Sequence, residues 1–107
     1  MTKLLRSMCV LAALALATPA FAVNIPMADV TVTSTATLIV AYESGRLRLS
    51  CTNNSADVAV RWANSAVTAA AGQRFPADRT IEIQGPSAVY MISEDTDVSI
   101  SCTKEMR

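Results

Sequence analysis

Two short segments of the chain alternate polar and apolar residues, and each of them ends in a cysteine. In the first segment the two faces divide cleanly: Leu47, Leu49 and Cys51 fall on one side, and Arg46, Arg48 and Ser50 fall on the other. In the second segment Val98, Ile100 and Cys102 share one phase. A repeat of two residues is that of a half-buried β-strand, and a shift of one residue would turn either cysteine to solvent. The pattern therefore predicts two strands with both cysteines on their core faces.

The first 22 residues carry the zones of a cleavable secretory signal. Lys3 and Arg6 form a basic region, and an apolar run follows over residues 8–17. Ala20 and Ala22 then occupy the first and third places of an A-x-A cleavage site. We therefore expect cleavage before Val23 and export to the periplasm or the cell exterior, with no membrane association afterwards.

Two other interpretations of this segment are weaker. A membrane-spanning helix needs about 20 apolar residues, whereas this run is shorter and is followed by Pro19. Cys9 lies at the start of the apolar run instead of after it, and the residues before it form no lipidation motif. No lipid anchor is expected.

Removal of the signal leaves Cys51 and Cys102 as an even pair. Disulfides form and persist in the oxidising compartments that exported proteins enter, so we predict one disulfide between these residues. A zinc site is the rival interpretation, but it requires four ligands and the chain contains no histidine. Free or reactive thiols remain a further alternative.

The rest of the mature chain has the pattern of short strands separated by turns. Further strands are predicted at residues 30–33, 37–41, 58–62, 80–84 and 88–92, the last of them central and covered on both sides. The fold class is all-β: a single small antiparallel β-sandwich, of jelly-roll or immunoglobulin-like type, with one internal disulfide. The predicted divisions are a signal peptide at 1–22, an N-terminal arm at 23–28, the sandwich at 29–103 and a tail at 104–107.

The alanine-rich stretch between Ala63 and Arg74 is the least regular part of the pattern. Its three consecutive alanines favour helix, but Gly72 would end such a helix within a turn or two. The sequence predicts a short strand at Val67 within an irregular connection.

Charge and composition argue against several functions. Without Lys3 and Arg6 the chain has seven basic and nine acidic side chains, a net charge of −2, so it offers no basic field for nucleic acid. Acid–base catalysis near neutral pH favours histidine, and the carboxylates fall mostly in predicted turns. We expect a non-enzymatic protein without cofactor or metal. A small hydrolase that uses paired carboxylates, and a calcium site at Glu94–Asp97, are the alternatives.

Four residues form the candidate binding surface. Arg46, Arg48 and Arg61 are predicted to project outward from two strands, where guanidinium groups could meet a carboxylate or phosphate. The alternative is a solvated sheet face partly neutralised by Glu82. Trp62 is in phase with the apolar residues of its strand and is predicted to lie in the core, although an exposed platform for a sugar or a partner is the alternative. Asn53 begins an N-glycosylation sequon, which matters only in a eukaryotic host.

Residues 30–100 also resemble a known protein family in the order and spacing of their segments. The resemblance runs through Val30-Thr31-Val32-Thr33, Ile39-Val40-Ala41, Gly45-Arg46 with Leu49, Asn53-Asn54-Ser55, Val58-Ala59-Val60, Val67-Thr68-Ala69 with Gly72, Phe75-Pro76-Ala77, Ile81-Glu82-Ile83, Ala88-Val89-Tyr90-Met91-Ile92 and Asp97-Val98-Ser99-Ile100. These segments are similar to those of small tailed-bacteriophage structural proteins, found as head-decoration, fibre-associated or other minor virion components. The chain departs from that family at Asp78, where the family's turn has glycine, in its cysteine pair and in its secretory signal.

The resemblance implies a β-sandwich module that attaches to a capsid or to other copies and is not an enzyme. We therefore expect an exported structural or binding module, in the first instance a virion protein. The alternative is a host-made periplasmic or secreted adhesin-like domain that binds a glycan or a protein. A protein partner or self-association is expected in either case.

Overall fold

Nine β-strands and no helix are found in the residues that the computed structural model describes, which are 22–65, 67–68 and 71–107. The strands are β1 Val23–Pro26, β2 Val30–Val32, β3 Thr37–Val40, β4 Arg46–Asn53, β5 Val60–Ala63, β6 Gln73–Phe75, β7 Thr80–Gln84, β8 Val89–Ser93 and β9 Val98–Met106. The predicted signal segment, apart from Ala22, lies outside the described residues. Val23, which follows the expected cleavage position, is the first residue of β1.

The strands form two antiparallel sheets. The first sheet has the order β1-β9-β4-β7, with β2 pairing β9 beyond the end of β1, and the second has the order β3-β8-β5-β6. Strands β2 to β9 pair as nested partners, first with last: β2 with β9, β3 with β8, β4 with β7 and β5 with β6. Pairing of β4 with β9 and of β5 with β8 closes this long double ribbon into two sheets. That nesting is the connectivity of a jelly roll, one of the two predicted sandwich types.

The core lies between the two sheets and follows the predicted alternation. Leu49 and Ile100 of the first sheet and Val60, Phe75 and Met91 of the second are fully buried. Strand β8 lies between β3 and β5 and has four buried residues out of five, which confirms its predicted central position. Each Val, Leu or Ile side chain that is fully buried in this way stabilises the fold by about 1.5–3 kcal/mol.

The disulfide joins Cys51 of β4 to Cys102 of β9, with an S–S distance of 2.07 Å. The two residues are direct cross-strand partners in the first sheet. Both are buried, as their phase predicts. The bond therefore ties neighbouring strands of one sheet and does not bridge the two sheets.

The predicted phase of β4 is wrong at its first residue. Arg46 was expected to face outward, but it is buried and only 3% exposed. The register of β4 against β9 shifts between Arg46, which pairs with Met106, and Arg48, which pairs with Glu105. The intervening Leu47 has no partner of its own in that ladder. A β-bulge of this kind adds one residue to a strand and reverses the side on which the preceding residue points.

Both predicted ends of the domain are also wrong. Residues 23–26 of the expected N-terminal arm form β1, and residues 104–106 of the expected tail belong to β9. These two segments pair with each other, Val23 opposite Met106 and Pro26 opposite Thr103. The sandwich therefore extends from residue 23 to residue 106.

The alanine-rich connection differs from its prediction as well. Val67 is buried but is not part of a strand, and the strand of this region is β6, at Gln73–Phe75. Gly72 has φ +94°, and a Cβ atom there would lie 2.6 Å from Cγ2 of Val67. Glycine is thus required for the chain to turn tightly beneath Val67. Residues 66, 69 and 70 lie outside the described residues.

Candidate binding surface

The outer face of the first sheet forms a shallow groove with a volume of about 570 Å³. It exists because β4 and β9 turn their apolar residues inward and so present the intervening polar residues on the opposite face. The polar side chains that line it are Asn24, Arg48, Ser50, Thr52, Glu82, Ser101, Thr103 and Glu105. The volume lies within the range of small-ligand sites, although such sites are mostly apolar.

Arg48 lies between the two carboxylates of the groove. Its Nη1 is 3.8 Å from Oε2 of Glu82, and its Nε is 2.6 Å from Oε2 of Glu105. The Nε–H does not point at that oxygen, so the contact is an ion pair and not a hydrogen bond. With Arg48 and Glu82 about half exposed, each pair contributes at most about 1 kcal/mol. The three groups together carry one net negative charge.

Hydroxyl and amide groups tie the rim of this face together. Ser101 Oγ donates a hydrogen bond to Asp29 Oδ1 at 2.9 Å and accepts one from Asn54 Nδ2 at 2.7 Å. The hydroxyls of Thr52 and Thr80 are 2.8 Å apart. The two bonds of Ser101 fix the loop after β4 and the segment before β2 against β9, whereas the Thr52–Thr80 contact joins β4 to β7.

Arg46, one of the four predicted surface residues, is part of the interior. Its Nη1 donates to the carbonyl of Ala41 at 3.0 Å, and its Nη2 donates to the carbonyl of Ser87. It also forms an ion pair with Glu43 at 3.2 Å. Arg46 therefore joins two loops at one end of the sandwich and is not available as a ligand contact.

Glu43 is shared between Arg46 and Lys104, whose Nζ lies 2.7 Å from Glu43 Oε2. The hydrogen bond from Lys104 is the largest influence on this carboxyl and, with the neighbouring Arg46, holds the pKa of Glu43 below its usual value; partial burial opposes this shift. Lys104 belongs to the segment that was predicted to be a tail.

Arg61 and Trp62 are separated from Arg48 by the thickness of the sandwich. Strand β5 belongs to the second sheet, so the prediction that the arginines share one surface is wrong. Arg61 points outward beside its cross-strand neighbour Arg74, and both lie within 3.4 Å of Glu94 Oε2. Trp62 is partly buried and packs against the core, as its phase predicts.

Two other sequence motifs have structural roles. Asn53 of the sequon is fully buried, and its Nδ2 donates to the carbonyls of Val58 and Phe75. Its amide is therefore not accessible to a glycosyltransferase in the folded protein. In the acidic turn, Glu94 forms its ion pairs with the two arginines of the second sheet, and Ser93 Oγ accepts a hydrogen bond from the amide of Asp95. No group of three His, Cys, Asp or Glu side chains that could hold a metal is found within the described ranges.

Several groove residues were absent from the predicted surface. Ser50 and Ser101 could have been found from alternation alone, because they lie between buried residues of β4 and β9. Glu105 and Asn24 could not, because each belongs to a segment whose pairing partner is distant in sequence.

In the described part of the chain, no helix is long and apolar enough to cross a membrane. Comparison of the chain with protein-family models, with curated proteins and with solved structures gives no match.

Proposed function

We propose that the protein is an exported, non-enzymatic β-sandwich module with a structural or binding role, in the first instance a component of a tailed-phage virion. The resemblance over residues 30–100 is the basis for the virion assignment. The jelly-roll connectivity agrees with it, since viral capsid and lectin domains use this architecture. The Cys51–Cys102 bond is consistent with an oxidising compartment.

The observation that carries the proposal is the state of the charged groups on the first sheet. Arg48, Glu82 and Glu105 are engaged with one another on an open face. Catalytic groups are characteristically enclosed in a cleft and held free to act on a substrate. Mutually paired charges on an open sheet suit contact with another surface better than they suit acid–base chemistry.

The virion assignment is tested in the producing culture. Particles purified on a density gradient are analysed by mass spectrometry, and peptides from residues 23–107 are expected in the particle fraction at a constant ratio to capsid protein. Detection of the protein only in the periplasmic or soluble culture fraction would contradict the virion assignment.

The second candidate is a host-made exported domain that binds a glycan or a protein. The groove favours it, because its hydroxyl and amide groups from Asn24, Ser50, Thr52 and Thr103 can exchange hydrogen bonds with a polar ligand. A glycan array is the direct test. Ser50→Arg, which would fill the groove, should abolish any specific binding, whereas Gln84→Arg, outside the groove on the exposed edge strand β7, should not.

A further inference from the structure

The open edges of the two sheets differ in their capacity to pair with another strand. A free edge presents unpaired N–H and C=O groups, and proteins usually block it with proline, a bulge or a very short strand. The four edges here are β1 with β2, and β7, in the first sheet, and β3 and β6 in the second. Three of them carry such a block.

Strand β1 is blocked by Pro26. The amide of Met27 donates to the carbonyl of Cys102 at 3.0 Å, which fixes the hydrogen-bond phase of this edge. Two-residue alternation then directs the backbone groups of Asn24 and Pro26 away from β9. Proline has no N–H to offer at that position.

In the second sheet, both edges are blocked in other ways. Strand β3 is interrupted by a register shift between Leu38 and Val40, and β6 is only three residues long.

Strand β7 has none of these blocks. It contains five residues, lacks proline and pairs with β4 in unbroken register. Its phase is fixed at one end by the amide of Asn53, which donates to the carbonyl of Arg79 at 2.9 Å. At the other end the amide of Gly85 donates to the carbonyl of Leu47 at 2.8 Å.

This phase determines which groups face the open edge. Ile81 and Ile83 exchange their backbone hydrogen bonds with β4, so the N–H and C=O groups of Thr80, Glu82 and Gln84 point away from the sheet. In the part of the chain that the structure describes, no loop or turn bonds to these three residues through the backbone. The edge therefore offers three donors and three acceptors in one straight row.

We infer that β7 pairs with β7 of a second copy of this chain, antiparallel, about a two-fold axis at Glu82. In this register all three residues with outward groups find a partner: Glu82 faces Glu82 of the second copy, and Thr80 faces Gln84 of the second copy. A shift of two residues would separate the glutamates but would leave one outward residue of each copy without a partner. The full register is favoured by its extra hydrogen bonds. The repulsion between the two Glu82 carboxylates opposes it only weakly, because each of them is 54% exposed and has Arg48 within 3.8 Å. The first sheets of the two copies then become one continuous sheet.

The second copy is the partner that the proposed structural role requires, and to that extent the inference rests on the proposed function. Sedimentation velocity of the purified mature protein should show a monomer–dimer equilibrium over a concentration series up to about 1 mM. At that concentration half of the protein is dimeric even if the dissociation constant is as weak as about 1 mM. Glu82→Gln should lower the dissociation constant by up to about fivefold, because it removes the like charges on the axis.

Glu82→Pro should abolish the dimer but leave the fold intact, because the N–H it removes is not bonded to β4. Asn24→Pro, the matched change at the outward position of β1, should leave the dimer unchanged.

Covalent trapping tests the register independently. Glu82→Cys should form a disulfide-linked dimer under mild oxidation, since directly opposite residues of a hydrogen-bonded pair lie about 5.5 Å apart at Cα. Thr80→Cys, which faces Gln84 of the second copy, should not.

A wild-type protein that is monomeric throughout the series, or a dimer lost with Asn24→Pro and kept with Glu82→Pro, would overturn the inference. A monomer found in purified particles would overturn this inference alone. A β7-linked dimer absent from particles would overturn the virion assignment alone.

Discussion

Cys51 and Cys102 face each other across β4 and β9, two neighbouring strands of the first sheet, and their sulfur atoms are bonded at 2.07 Å. The two residues are 51 positions apart in sequence. The bond therefore connects the middle of the chain to its last strand, at a point where both side chains are buried beneath the second sheet.

Replacement of both cysteines should lower the free energy of unfolding by about 4 kcal/mol. In the chain-entropy model a loop of this length accounts for a loss of that size. Urea melts of Cys51→Ala/Cys102→Ala and of the wild type, at equal protein concentration, provide the measurement. Equal midpoints would mean that the bond contributes nothing to stability.

Replacement of Arg46 by methionine should destabilise the protein by about 2–4 kcal/mol, because it leaves partly buried carbonyl groups of two loops without a donor. Arg48→Met is the matched control. Its side chain is 42% exposed and forms only surface ion pairs, so the cost should stay below about 1 kcal/mol. Similar losses in the two variants would contradict the buried role of Arg46.

These two arginines show the limit of alternation as a guide to the fold. The phase of Leu49, Cys51, Val98, Ile100 and Cys102 was predicted from the sequence and is confirmed, because a buried sheet face imposes strict alternation. The bulge at Leu47 has no signal in a single sequence. It depends on the register between β4 and β9, whose residues are far apart in the chain.

The pairing of the chain ends was missed for a related reason. Segment 104–106 is short and has two charged residues, and segment 23–26 is short and contains proline, so neither resembles a strand when considered alone. Each becomes a strand because the other supplies its hydrogen-bond partners. The groove residues Asn24 and Glu105 were overlooked with them.

Stability should depend on pH through Glu43. The folded protein holds the pKa of this carboxyl below its usual value of 4.5, foremost through the hydrogen bond from Lys104. The stabilising contribution is thus fully present above pH 4.5 and is lost as the pH falls through the lower folded-state pKa. The free energy of unfolding of Glu43→Gln should be lower than that of the wild type at pH 7, and the difference should shrink towards low pH. A difference that stays constant across this range would contradict the assignment.

Gly72→Ala should destabilise the protein by about 2–4 kcal/mol, because the new methyl group meets both Val67 Cγ2 and, at 2.9 Å, the carbonyl oxygen of Trp62. Gly45→Ala separates this clash from backbone strain. Gly45 has a similar φ of +88° but nothing within 4 Å of the added carbon, so its cost should be about 1 kcal/mol. Denaturant melts followed by the fluorescence of Trp62, the single tryptophan, measure both. Equal costs would show that the contacts with Val67 and with the carbonyl of Trp62 are unimportant.

The central claim is that the chain is exported and is closed by one disulfide within a single molecule. Tryptic mapping of the unreduced, exported protein by mass spectrometry tests it most directly. The account predicts an N-terminal peptide that begins at Val23, together with a peptide of residues 49–61 linked through Cys51 to a peptide of residues 80–104 through Cys102. Both should come from protein that migrates as a single chain on a non-reducing denaturing gel. A retained Met1, free thiols at both cysteines, or recovery of the linked peptides only from a covalent dimer would contradict it.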